Sequence, residues 1–283
     1  MTSMMKGNRN TQCQLWLGTW SMGGLGFGPY DERHAHETLA AFFESGATHL
    51  DSAAFYAKGH SDEILAKYLK NKARDSYFLS TKGGLYWQGN RVYHDGSEQA
   101  LRKSLEQALI QFNCDYIDLF QLHWPDKQLD IRVSIDALRR FKAEHKIKHW
   151  GICNPRLSDT AYFDCDDTCY SQIHFNPIHK SEQAVAELNH ASGFNTVITS
   201  PFEQGLLVNP SYINSPLGNK DIRQRNPYFS TEYHAWLKAF YAAIPQTQTA
   251  SRYVLKWIKS HDFCDAIILG CRTAAQLKAC IQV

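Results

Sequence analysis

The chain has 283 residues, 43% of them apolar, enough to bury a sizeable core in one α/β domain. Thirty basic against 28 acidic residues leave a formal charge of +2, which makes no electrostatic case for binding nucleic acid or an anionic membrane surface. No apolar run approaches the roughly 20 residues that span a bilayer, and the polar N-terminal stretch 1–10 lacks the apolar centre of a signal peptide, so the chain reads as cytoplasmic.

Residues 1–13 read as frayed or loosely packed. Leu15-Trp16-Leu17 forms a first strand, stopped by Gly18-Thr19-Trp20. The following loop holds Gly23, Gly24, Gly26, Gly28 and Pro29, and its spacing is not that of a GxGxxG dinucleotide turn. Asp31 caps a helix over 32–45 with Leu39, Phe42 and Phe43 on its apolar stripe, and Gly46 ends it. A second strand spans 48–51, and a helix starts at Ser61, with Ser61 as its N-cap. The third strand, 77–82, turns at Gly83-Gly84 into a long aromatic loop from Leu85 to Gly96. A helix from Ser97 to Phe112 leads to strand four, 116–122, and then to a helix over 131–145. Strands five to eight span 148–153, 170–174, 196–199 and 266–269. Helices over 181–191, 231–243, 249–260 and the last residues intervene or follow, and an Asn-, Pro- and Gly-rich excursion runs to Phe229.

Eight alternations of strand and helix mean a parallel sheet with right-handed crossovers. Alternation alone also permits an open doubly wound sheet. A (β/α)₈ TIM barrel is preferred because eight units fit and polar residues recur at strand C-termini, where barrel chemistry sits. No linker, low-complexity tract or repeat divides the sequence, so residues 1–283 read as one domain.

The eight cysteines argue against a disulfide framework. Cys114, Cys153, Cys169 and Cys271 fall in or beside buried strands, where a free thiol behaves as a small hydrophobe. Cys165 and Cys169 have no second Cys or His pair at zinc spacing, and no metal is expected.

Three strands end in a charged or titratable residue: Asp51, Lys82 and His123, with Tyr56 just beyond the first. Each has an ordinary explanation: a turn cap, a surface lysine, a structural histidine, a packed ring. Together at successive strand tips they suit the reduction of a carbonyl, whose oxygen needs a proton donor and a polarising partner as it gains charge. Tyr56 is the donor, Lys82 lowers its pKa, Asp51 keeps Lys82 charged, and His123 gives the oxygen a second hydrogen bond.

These residues carry a resemblance to the aldo-keto reductase family over nearly the full length. It rests on Leu17-Gly18-Thr19-Trp20, on Leu50-Asp51-Ser52-Ala53 with Tyr56, on Lys58-Gly59-His60-Ser61-Asp62-Glu63 and on Thr81-Lys82. It continues through Asp115 to Asp126, Gly151-Ile152-Cys153-Asn154, Ser200-Pro201 with Gly205-Leu206-Leu207, and Gly270-Cys271-Arg272 with Gln276. The resemblance implies NADP(H)-dependent, metal-free interconversion of a small carbonyl and its alcohol. It implies that Gly18, Thr19 and Trp20 line the entry near the nicotinamide, with Asp51 beside them, and that Asn154 and Gln172 hold the carboxamide. It also implies that Ser200, Phe202, Gln204, Gly205 and Leu206 run along the pyrophosphate. Gly270 and Cys271 lead to Arg272, which would meet the adenosine 2′-phosphate, and Gln276 the adenine. The substrate pocket would be bounded by Trp20, Tyr56, Trp87, His123 and Trp124.

The chain departs from the family pattern at Cys153, where Ser is usual, at Ala57, where Gly is usual, and at Cys280, where Asn often meets adenine. Both ends look short for the family, which leaves room for a partner to complete the pocket. Two other readings stay open: an NADPH-binding redox subunit with little turnover, and a Schiff-base barrel enzyme using Lys82.

Overall fold

A computed structural model describes residues 13–28, 30–163, 169–215, 217–218 and 221–281. The expectations for residues 1–12, Pro29 and Cys165 lie outside the described residues. The strands are β1 (Gln14–Gly18), β2 (His49–Asp51), β3 (Phe78–Gly83), β4 (Leu85–Gln88), β5 (Arg91–His94), β6 (Ile117–Leu122), β7 (Ile147–Cys153), β8 (Cys169–His174), β9 (Asn195–Thr199) and β10 (Ala266–Leu269). The helices are α1 (Glu32–Glu44), α2 (His60–Leu69), α3 (Glu98–Phe112), α4 (Ile131–Ala143), α5 (Gln183–Ala191), α6 (His234–Ala242), α7 (Ala250–Lys259) and α8 (Ala274–Ile281). All strands but β4 and β5 close a parallel barrel in the order β1-β10-β9-β8-β7-β6-β3-β2. The (β/α)₈ expectation therefore holds, and the open-sheet alternative does not.

Period-two alternation explains how the site forms. Leu50, Leu79, Phe120, Leu122, Ile152 and Ile173 pack outward in the layer under the helices. Burying each such side chain is worth roughly 1.5–3 kcal/mol. The opposite face of the same strands points into the barrel. At its N-terminal end that face carries Trp16, His49, Phe78, His149 and Tyr170, whose rings contact one another. Towards the C-terminal end the same parity delivers Asp51, Ser80, Lys82, Gln121, Cys153 and Gln172. Asp51 pairs with Ser80 in register, and Lys82 with Gln121.

Three local expectations need correcting. The segment from Leu85 is not an irregular loop: β4 and β5 form an antiparallel hairpin, with Tyr86 stacked on Tyr93. Ser61 is not the N-cap of α2. Gly59 occupies that position at φ 96, because the chain arrives through a left-handed turn that favours glycine, and Ser61 is buried in the first helical turn. The stretch 231–243 begins as a 3₁₀ turn and is α-helical only from His234. Asp31 and Ser97 do cap α1 and α3, accepting from the N–H groups of Arg33 and Ala100.

Candidate active site

Lys82 is the hub of the C-terminal end. Its Nζ donates to Asp51 Oδ1 at 2.5 Å, to the Ser52 carbonyl at 2.9 Å and to the Tyr56 hydroxyl at 3.2 Å. An ammonium has three donors, so these bonds use all of them. The second Asp51 oxygen accepts from Ser80 Oγ at 2.8 Å and from Gln172 Nε2 at 2.6 Å. Gln121 Nε2 in turn donates to Ser80 at 2.9 Å. The Lys82 and Asp51 side chains are only 1% and 3% exposed, so each charge depends on the other. Tyr56 reaches this pair because the chain after β2 coils tightly, with Ala57 and Lys58 left-handed at φ 49 and 56. That conformation is why glycine is usual at position 57.

Burial opposes the charge on Lys82, but the Asp51 carboxylate outweighs it and holds the ammonium above the ordinary lysine range. Burial pushes Tyr56 up to about 12, although the Lys82 charge pulls it down. Lys82 does pull the Tyr56 pKa down, as expected, but burial of the ring, which the sequence does not show, is the larger effect. Tyr56 is therefore a protonated phenol at neutral pH. His123 is pushed well below its ordinary value by burial, then by Lys82 and His94, so it is a neutral imidazole. Beneath the tetrad, Thr19 Oγ1 meets Ser52 Oγ at 2.6 Å, and Ser52 donates to Asp62. Burial raises Asp62 to about 6, with the Ser52 bond opposing.

A cavity of about 570 Å³ opens beside Tyr56. Gly18, Trp20, Asp51, Tyr56 and Gln172 line its inner part. Ser200, Phe202, Gln204 and Gly205 form one flank, and Gly270, Cys271, Arg272 and Gln276 the other. Cys280 and Arg223 also face it. Thr19, Asn154 and Leu206 do not line it. Thr19 is fully buried behind the wall, Leu206 belongs to the core, and Asn154, left-handed at φ 54, donates its N–H to the Gln172 carbonyl at 2.9 Å. The Gln172 amide is engaged as well: its Oε1 accepts from the Cys153 thiol at 3.4 Å.

Of the expected substrate walls, Trp20 and Tyr56 line the cavity and Trp87, His123 and Trp124 do not; Trp87 and His123 meet instead at Phe55, which carried no expected role. Phe55 stacks on Trp87 at 4.8 Å and meets His123 edge-on at 5.7 Å. Trp87 Nε1 donates to the Phe55 carbonyl at 3.0 Å. His123 stands edge-on to Tyr56 at 5.6 Å, and Trp20 lies 6.2 Å from Tyr56. Trp124 is 44% exposed next to His123 in the chain.

The turn after β9 is unusual. Ser200, Glu203 and Gln204 are left-handed at φ 51, 46 and 55, each at a cost of about 1–2 kcal/mol, followed by Gly205 at φ 94. Glu203 is buried, and no expectation from the sequence included it. A carboxylate between Phe202 and Gln204 was the only signal. On the opposite flank, Arg272 Nη1 donates to the Phe27 carbonyl at 2.5 Å, and its guanidinium lies 5.2 Å from the Tyr30 ring.

Among the described residues, His174, His179 and Glu203 bring ligand-type atoms within 4.8 Å of one another. The two imidazoles stack face to face at 3.8 Å, so their lone pairs run parallel and do not converge on one ion. The described cysteines are free thiols, with Cys13 and Cys264 in contact at 3.3 Å. No helix among the described residues is long and apolar enough to cross a membrane.

The fold is thus a parallel barrel with a charged pair, a phenol and a neutral imidazole gathered at its C-terminal end. The chain belongs to the Aldo/keto reductase family, whose profile matches residues 14–283. Membership makes it an oxidoreductase that acts on small carbonyls or alcohols with a nicotinamide cofactor. It is 26% identical over 282 residues to "Aldo-keto reductase YhdN" of Bacillus subtilis (strain 168), covering 95% of this chain and 84% of that protein. It is 27% identical over 214 residues to "NADH-specific methylglyoxal reductase" of Escherichia coli (strain K12), covering 70% and 66%. In structure it resembles the glycerol dehydrogenase AKR11B4 from Gluconobacter oxydans, at TM-score 0.81 and 24% identity over 94% of this chain and 85% of that one. The aldo-keto reductase AKR11C1 from Bacillus halodurans in its holo form gives TM-score 0.79 at 23% identity, covering 95% and 85%. These two likenesses establish the fold.

Proposed function

We propose that the chain, as one domain, interconverts an aldehyde or ketone with its alcohol using NADP(H), with Tyr56 as general acid and base. The observation that carries this reading is the Lys82 ammonium, held by Asp51 and donating to the hydroxyl of a tyrosine that lines the cavity. The residues present suit the cofactor. The cavity has the size of a ligand site, Gly205 and Gly270 leave open space beside the backbone, and Arg272 offers a planar cation for a phosphate. When bound, the nicotinamide supplies or accepts the hydride.

The chain's own residues handle the proton. In reduction, Tyr56 gives its hydroxyl proton to the carbonyl oxygen as charge develops there. Lys82 stabilises the phenolate left behind, and Asp51 keeps Lys82 from leaving that position. His123, being neutral, turns an N–H donor towards the same oxygen and orients it. In oxidation the phenolate takes the proton back. Trp20 on the cavity wall, with Phe55 and Trp87 stacked near His123, suits flat apolar carbonyls or the faces of sugars.

Preference for NADP(H) over NAD(H) rests on Arg272, and the name of the NADH-specific relative is a reason to measure both. A Schiff-base role for Lys82 is disfavoured, because Asp51 holds it as an ammonium, which has no lone pair to attack a carbonyl. The complete tetrad counts against a subunit that only binds NADPH. The test is fluorescence titration with NADPH and NADH, then nucleotide absorbance after adding 4-nitrobenzaldehyde. Binding with turnover is expected. Tight binding without turnover across a panel of carbonyls would replace the reductase with the binding subunit.

A further inference from the structure

Glu203 is 1% exposed, yet it lies in the left-handed turn whose other members, Ser200, Phe202, Gln204 and Gly205, line the cavity. Three side chains from two separate segments meet its carboxylate. His174 Nε2, at the tip of β8, meets Oε2 at 2.7 Å. Asn176 Nδ2 reaches the same oxygen at 2.7 Å and also donates to the Ser200 carbonyl at 2.9 Å. Asn226 Nδ2, from the excursion between β9 and α6, reaches Oε1 at 2.6 Å.

Neither asparagine can reverse its amide. Asn176 Oδ1 accepts the backbone N–H groups of Ile178 and His179, and Asn226 Oδ1 accepts that of Tyr228. Each must therefore present its NH₂ to position 203. The site requires a side chain that only accepts, which an ionised carboxylate is and a glutamine is not. The charge is accommodated: burial works against it, but the bonds from His174, Asn176 and Asn226 outweigh burial and hold the carboxyl below its ordinary range.

We propose that Glu203 is a positioning residue for the nucleotide: it fixes the 200–205 turn in its binding shape by tying it to β8 and to the 207–229 excursion. This rests on the NADP(H) reading above. Glu203 itself does not line the cavity, so it acts through its neighbours in the turn.

The experiment compares wild type with Glu203→Gln, Asn226→Asp and the double variant. It measures thermal unfolding, the NADPH Kd, the KM for NADPH and for 4-nitrobenzaldehyde, and kcat at saturating NADPH. Glu203→Gln sets an NH₂ against fixed NH₂ donors. It is expected to raise the Kd and KM for NADPH about 10-fold, as one badly met buried hydrogen bond does. The kcat at saturating NADPH and the KM for the aldehyde should stay within about twofold. The double variant restores one donor–acceptor match, because the carboxylate introduced at position 226 can accept from the new amide. It should recover much of the affinity where Asn226→Asp alone does not. An unchanged NADPH Kd in folded Glu203→Gln, or a fall in kcat without a change in Kd, would overturn the proposal and leave the cofactor reading standing. A wild-type chain that binds neither nucleotide would overturn both.

Discussion

The two ends of the barrel each carry a sheltered ion pair, and they use it differently. Near the N-terminal end, Asp118 of β6 accepts from Arg74 at 2.5 Å, from the backbone N–H of Leu79 at 2.9 Å and from Lys148 at 3.1 Å. Arg74 also donates to the carbonyls of Tyr77 and Tyr116 and lies over both rings. These bonds pin strand starts together. At the C-terminal end, Lys82 and Asp51 are more deeply buried, and one lysine donor goes to a phenol on the cavity wall. A buried pair adds little net stability after desolvation. In the proposed mechanism, its value at this end is that its field acts on Tyr56 as that phenol gives up its proton. The two pairs differ in what the cation's remaining donors reach: backbone carbonyls for Arg74, and for Lys82 the hydroxyl of a tyrosine that lines the cavity.

Lys82→Met breaks the C-terminal pair and should have the largest effect. It strands a buried Asp51, at a cost of about 3–5 kcal/mol, and should lower kcat on the order of 10²–10⁴-fold. Thermal unfolding and steady-state kinetics check both parts. Asp118→Asn is the matching change at the other end. It should cost about 1–3 kcal/mol in denaturant unfolding and leave kcat within about twofold. A large loss of turnover there would erase the contrast.

Asp62→Asn sharpens the picture of the layer under the tetrad. Burial raises this carboxyl from 3.8 to about 6, so the folded chain holds its proton more tightly than the unfolded one. The contribution to stability is fully present below pH 3.8 and is lost as pH rises through 6, on the order of 3 kcal/mol in all. The Tm of Asp62→Asn should match wild type near pH 4 and exceed it above pH 6. Equal Tm values at every pH would show that burial does not hold a proton on Asp62. Ala57→Gly has the smallest expected effect. It relieves a left-handed alanine, and chemical denaturation should show a gain of up to about 1 kcal/mol.

Much of the C-terminal end was legible in the sequence. Asp51, Lys82 and His123 end apolar strands that have no packing use for them, and strand parity then brings Ser80 and Gln121 onto the same inner face. Electrostatic balance was less legible. A sequence shows that Lys82 follows a strand near Tyr56, but not how deeply the phenol is buried, and burial decides the direction of its pKa. Leu206 illustrates a second limit: a motif marks the turn after β9, yet the fold sends Leu206 to the core while Gly205 faces the cavity. Glu203 was missed because its three partners come from distant segments. The hairpin of β4 and β5 was missed because Gly89-Asn90 links strands of four residues, too short for a clear alternation to show.

The most direct test of the central claim is a single turnover with Tyr56→Phe. Enzyme loaded with NADPH is mixed with excess 4-nitrobenzaldehyde, and nucleotide absorbance is followed. The variant should bind NADPH as wild type does and oxidise it on the order of 10²–10⁴-fold more slowly. Oxidation at the wild-type rate would contradict it, because the proton would then come from a group other than the phenol that Lys82 holds.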